Sequence, residues 1–228
     1  MNKLIKVARY HLVDRIQYLV LPISVTLFAF AVNLVIFRLV NAQENEYTGG
    51  LMTLYVFLFV SGVLSVTKSL PFGLTLGLSR RSYYLGTLTL VGWLAATFSL
   101  GVVLLQALER ATGGWGMRLH FFRVPWILDG AWYMTWLTSF VLLVLLFLYG
   151  MWFGLVYRRW SIFGTVLFSA AQVLVLLGTA VLITWTRSWP AVGEFFGTLS
   201  VLSFVGVLAV LAVALGAGGF ATMRRVTV

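Results

Sequence analysis

Six stretches of this chain run for twenty residues or more without Asp, Glu, Lys or Arg: Tyr18–Phe37, Thr48–Thr67, Ser82–Leu108, Gly130–Tyr157, Trp160–Thr186 and Phe195–Met223. A bilayer core about 30 Å thick takes roughly 20 apolar residues of helix at 1.5 Å rise. A soluble domain carries about 25% charged residues, whereas only 10% of these 228 residues are charged and 61% are hydrophobic. Too few polar side chains remain to cover a water-facing surface. The expected fold is therefore all-α: a single transmembrane domain over 1–228 with six spans, at about 18–38, 48–67, 83–108, 132–157, 160–186 and 197–222. The first run is of span length and carries no small-residue cleavage site, so it stays as a helix.

The charges sort by side when the spans alternate. The N-terminal segment, the second and fourth connections and the tail hold Lys3, Lys6, Arg9, Arg15, Lys68, Arg80, Arg81, Arg158, Arg159, Arg224 and Arg225, against Asp14 alone. The other side holds Arg38, Arg110, Arg118, Arg123 and Arg187 against Glu44, Glu46, Glu109, Asp129 and Glu194. By the positive-inside rule both termini are cytoplasmic, in a multi-pass protein of the cell membrane. The formal net charge of +10 then reports orientation, and nucleic acid is not expected as a partner.

Missing residues narrow the chemistry. There is no cysteine, and His11 and His120 are the only histidines, so disulfides, thiolate sites, zinc and haem are not expected. No span centre carries an ionisable group of the kind that ion-coupled transporters and proton pumps use at membrane depth. Asn33 and Gln172 are the deepest polar residues, read as hydrogen bonds between helices. The run Gly62 to Ser69 approaches a nucleotide-binding loop, but Thr67 stands where a second glycine must let the backbone reach phosphate. No enzyme site is expected, and uphill transport would draw its energy from another chain.

Two cytoplasmic elements stand out. Over 1–18, Leu4, Ile5, Ala8, Leu12 and Ile16 fall on one helical face opposite Lys3, Lys6 and Asp14, which predicts an amphipathic helix in the headgroup layer. Between the second and third spans, Pro71 favours a first helical turn and Ser79 caps the helix that follows. The apolar segment between them is too short to span, faces the cytoplasm, and either docks on a partner or sits among the helix ends.

The layout and the run Phe72-Gly, Leu76-Gly-Leu78-Ser79-Arg80-Arg81 and Tyr83-Tyr84-Leu-Gly86 resemble the permease subunits of ABC transporters of the type II exporter class. The resemblance covers the whole chain in layout and Pro71 to Thr87 in motif. It implies a short cytoplasmic coupling helix that docks on a separate ATP-binding subunit. Phe72, Leu74, Leu76 and Leu78 would be its apolar contacts, and Ser79, Arg80 and Arg81 its polar edge. It further implies a second permease copy or a sister permease, membrane lipids around both, and ATP with magnesium on the partner only, with no cofactor in this chain.

On the external side, Trp189, Pro190, Glu194 and Phe195 occupy the place of the family's re-entrant helices, and an interfacial aromatic belt explains the composition equally well. Glu194 is placed to meet Arg187 or a departing substrate. The long connection Glu109–Asp129 alternates basic and aromatic residues, as a headgroup-anchored loop, an exit gate or an accessory contact would. Gly150 and Gly154 have the spacing for close helix packing. The expected function is the permease subunit of an ATP-driven exporter. The alternatives are an immunity transporter against an antimicrobial peptide and a membrane scaffold or sensor that does not transport.

Overall fold

The computed structural model describes residues 16–40 and 46–223. After a wide π turn at Ile16–Val20, the elements are α1 (Leu21–Val40), β1 (Glu46–Tyr47), α2 (Met52–Leu64), a second π turn (Ser65–Ser69), α3 (Leu70–Thr75), α4 (Arg80–Ala111), β2 (Leu119–His120), α5 (Trp132–Trp185), α6 (Trp189–Thr198) and α7 (Val201–Met223). The amphipathic helix expected over 1–18 falls almost wholly outside the described residues, as do Arg224 and Arg225. Several of the helices are long and apolar enough to cross a membrane.

Helix α5 has 54 residues, which at 1.5 Å per residue is about 80 Å and far more than one crossing needs. It does not run straight. Ser161 leaves the helical region with φ 56° and ψ −158°, and the chain reverses there. The Tyr149 hydroxyl donates to Gln172 Oε1, and the rings of Phe153 and Phe168 meet edge-on at 5.2 Å. Both pairs sit symmetrically about the break, so the arms 132–160 and 162–185 lie antiparallel. Gly164 makes this closure feasible: a Cβ there would stand 2.1 Å from Trp160 Cβ. Gln172 thus joins two helical arms as expected of it, whereas the Asn33 amide donates to Ala29 O of its own helix at 2.8 Å.

Small residues set the core spacing. A Cβ on Gly62 would lie 2.1 Å from Phe147 O, and one on Gly150 would lie 2.0 Å from Phe59 O. At Gly154 it would lie 2.8 Å from Val66 Cβ. Helices α2 and α5 therefore run parallel with their backbones in contact, the close approach that packing inside a membrane rewards. The first arm of α5 also carries α7, with Trp152 Nε1 donating to Leu215 O at 3.0 Å. Helix α4 closes the group through buried Leu90, Val91, Leu94, Ala95 and Phe98.

These directions put Lys68, Arg80, Arg81, Arg158 and Arg159 at one end of the bundle, called here the turn end. Glu109, Arg110, Arg123 and Asp129 lie at the other, the cap end. Helix α1 is offset toward the cap. Its Ile23 and Leu27, with Leu19 of the preceding π turn, line a cavity with Phe98, Gly101 and Leu105 of α4, and its midpoint, Phe30, meets the rings of Trp115, Phe121 and Phe122 at 4.8, 5.2 and 5.5 Å.

The last apolar run divides in two. Phe195 belongs to α6, and the final long helix starts only at Val201, because Ser200 Oγ accepts the Ser203 backbone N–H at 3.1 Å and so starts a new helix.

Candidate functional site

The turn end is built from α3 and the start of α4. Pro71 has no N–H to donate to Thr67 O, and its ring crowds that carbonyl. The helix before it widens into the π turn, and three hydroxyls settle its carbonyls: Ser65 Oγ donates to Gly62 O at 2.7 Å, Thr67 Oγ1 to Val63 O at 3.0 Å, and Tyr83 Oη to Ser65 O at 2.6 Å. The expected short helix therefore exists as a continuation of the second long helix, not as a separate crossbar. It ends in a Schellman stop: Leu78 N–H reaches Gly73 O at 3.1 Å and Gly77 N–H reaches Leu74 O at 3.0 Å. Gly77 sits at φ +79°, the left-handed conformation that this stop requires and glycine adopts freely.

Two residues later Ser79 caps α4, its Oγ accepting Ser82 N–H at 3.1 Å. The α3–α4 connection is thus a short turn pinned on both sides. The four apolar residues expected to face a partner divide. Phe72 and Leu76 are 56% and 59% exposed and, four apart, share one face of the helix end. Leu74 and Leu78 pack against the core. Of the polar edge, Ser79 is used in the cap, Arg80 is half-buried and Arg81 is exposed.

The cap end, residues 109–130, is built around a buried acid. Glu109, counted above among the external surface charges, is fully buried. Its Oε2 accepts the backbone N–H groups of Phe121 and Phe122, each at 2.9 Å, and Trp115 Nε1 at 3.3 Å. Its Oε1 lies 3.3 Å from His120 Nδ1. A desolvated carboxylate survives burial only with partners of this kind. The carboxylate thus organises the loop from within.

The backbone bends to reach it. Gly114, Trp115 and Gly116 have φ of 75°, 61° and 72°, and Arg118 has 55°. At Gly114 a Cβ would stand 2.8 Å from Leu119 N. Strand β2 then pairs in parallel with β1, Tyr47 opposite His120, with the two rings stacked at 4.9 Å.

Around the carboxylate, Phe121 and Phe122 are buried and Trp115 packs against the same cluster. These aromatics meet the middle of α1, so this part of the loop packs into the apolar interior. At its rim Arg123 binds Asp129, with Nη2 to Oδ2 at 2.9 Å, and Arg110 reaches Asp129 Oδ1 at 3.4 Å. The Arg123 hydrogen bond holds the Asp129 carboxyl below the usual range, and Asp129 in turn raises the guanidinium.

Two hollows flank this cluster along one face of α1. A cavity of about 250 Å³ lies between α1 and α4, with Phe122 and Thr26 on its wall; the Thr26 hydroxyl is buried without a partner. An open pocket of about 460 Å³ lies between the far end of α1 and the cap, lined by Leu34, Val35, Arg38, Leu39, Trp115, Gly116 and Met117.

The third expected region, Trp189, Pro190, Glu194 and Phe195, forms α6, with Pro190 in its first turn. Trp189 Nε1 donates to Thr184 Oγ1 at 3.0 Å, and none of the helix is buried. Glu194 is exposed and makes no ion pair with Arg187. Gly150 and Gly154 are engaged by α2 within the chain. No known protein family, curated protein or solved structure matches this sequence.

Proposed function

We propose that this chain is the membrane-spanning permease subunit of an ATP-driven exporter of the ABC type II class. It sits in the cell membrane with six crossings and both termini cytoplasmic, and separate ATP-binding subunits dock on its turn end. The observation that carries this reading is the exposed pair Phe72 and Leu76 beside Arg81, on an element continuous with α2 and fixed by the Gly77 stop and the Ser79 cap. An exposed apolar pair at a stiff helix end suits recognition by a partner's groove, and a stiff element can pass the partner's motion into the bundle. The gathering of Lys68, Arg80, Arg81, Arg158 and Arg159 at this end supports its cytoplasmic placement.

The test is co-purification of the chain with ABC-type ATPase chains from the same source. The double variants Phe72→Asp with Leu76→Asp, and Arg80→Glu with Arg81→Glu, should lose ATPase retention and substrate-stimulated ATP hydrolysis by tenfold or more, about 1.4 kcal/mol or greater in binding. The thermal midpoint of the permease alone should stay unchanged in the Phe72/Leu76 variant, because both side chains are exposed. Retention of the ATPase by both variants would refute the reading. Capture of a kinase or regulator at the same face would favour a membrane sensor instead.

A further inference from the structure

We infer that the pocket between the end of α1 and the cap binds an anionic membrane phospholipid, its phosphate on Arg38 and the start of an acyl chain along Val35 and Trp115. Four observations converge. The pocket is about 460 Å³ and open on one side, large enough for part of an amphiphile. Among the described residues Arg38 is its only charged lining residue, in the last turn of α1, and none of their carboxylates pairs with it. The rest of the wall is apolar apart from Gly116, and Val35 and Leu39 are 59% and 79% exposed. One wall is fixed in place: Trp115 is held through its Nε1 by the buried Glu109 carboxylate and packs edge-on against Phe30 at 4.8 Å.

Charge and position select the occupant. A single arginine closing a long apolar helix sits where hydrocarbon gives way to water. A guanidinium there presents a planar fork that matches phosphate. An exposed apolar wall beside it favours a ligand with both a headgroup and a chain, so a lipid fits better than a free anion.

This inference rests on reading α1 as a membrane span and is independent of the ATPase partnership. The experiment uses the full chain in nanodiscs of equimolar phosphatidylglycerol and phosphatidylcholine, with retained lipid read by native mass spectrometry after mild release. The wild type should hold phosphatidylglycerol about fivefold over phosphatidylcholine, the worth of one basic residue against an anionic headgroup. Arg38→Gln should bring the ratio to near parity. Leu39→Glu, which sets a carboxylate at an exposed position beside the arginine, should do the same with the fold intact. Arg187→Gln, at another exposed arginine, should leave the preference in place, and millimolar glycerol phosphate should not displace the lipid.

No preference in the wild type, or an unchanged preference in Arg38→Gln, overturns the site. An equal loss in Arg187→Gln reduces it to general surface charge and also overturns it. Displacement by glycerol phosphate refutes the lipid as occupant. None of these outcomes touches ATPase retention at the turn end, so the two readings fail separately.

Discussion

The two ends of the bundle solve the same problem, joining long helices, in opposite ways. At the turn end a glycine stop and a serine cap join α3 to α4 directly, and Phe72 and Leu76 stay on the outside. At the cap end the chain takes a long path, and its aromatics and even a carboxylate turn inward. A short turn cannot fold over its own apolar side chains, so what it carries is offered to a neighbour. A long connection can bury its own surface, provided its backbone polar groups find partners. The turn end is therefore the stronger candidate for docking, and the cap for holding α1 and shaping the hollows beside it.

The largest test of this contrast is Glu109→Ala. It removes the acceptor for two backbone N–H groups and an indole N–H in a buried site. Orphaned buried donors cost about 1–3 kcal/mol each, and stripping one partner from a buried charged network costs about 3–5 kcal/mol in all. The thermal midpoint in detergent should fall by several degrees, and a protease should cut within 112–130 well before the helices. Glu109→Gln keeps the volume and an acceptor oxygen, so it should recover part of the loss. An unchanged midpoint with no new cleavage would mean the cap is not held from within.

At the turn end the corresponding substitutions should cost less, since the backbone there is pinned by local bonds in partly solvated surroundings. Gly77→Ala forces a Cβ into φ +79° with open space around it, a conformational cost of about 1 kcal/mol with no clash to add. Ser79→Ala removes the cap of α4 and should cost about 1 kcal/mol. If Gly77→Ala also halves ATPase stimulation while leaving ATPase retention intact, stiffness of the turn matters apart from contact. A loss as large as that of Glu109→Ala would erase the difference between the ends.

How far each end could be read from the sequence follows from the same contrast. The turn was legible because Pro71 and Ser79 act on neighbours within five residues, and so were the long helices, since length and hydropathy belong to contiguous runs; the Gly77 stop shows only in the structure. The side of α3 that each leucine takes was not: Leu74 and Leu78 go inward because Gly73 lets α3 close on Tyr83, a tertiary contact. The burial of the cap's acid was not legible, because the carboxylate and its donors lie 6 to 13 residues apart and converge only after a run of left-handed backbone. One signal was present, Gly113-Gly114-Trp115-Gly116 starting four residues after the acid that ends an apolar run. The start of α7 was missed for a simpler reason, since Ser200 is a cap of the same kind as Ser79 but sits among apolar neighbours that hid the break.

The smallest predicted effect tests whether the cap's rim contributes beyond its buried centre. Asp129 is held below the ordinary carboxylate range by its hydrogen bond to Arg123, and both side chains are about 30% exposed or less. A depressed folded-state pKa adds stability that is complete above the unfolded value of about 3.9 and disappears as pH falls through the lower folded value. Partial exposure and screening limit the pair to about 0.5–1 kcal/mol. Asp129→Asn should therefore be less stable than the wild type by that amount, evenly between pH 7 and 5, and the gap should narrow below about pH 4 as the wild-type carboxyl protonates. A gap that widens on acidification would assign the rim's stability to a group other than Asp129, and a gap as large as that of Glu109→Ala would move the centre of the cap from the buried carboxylate to the ion pair at its edge.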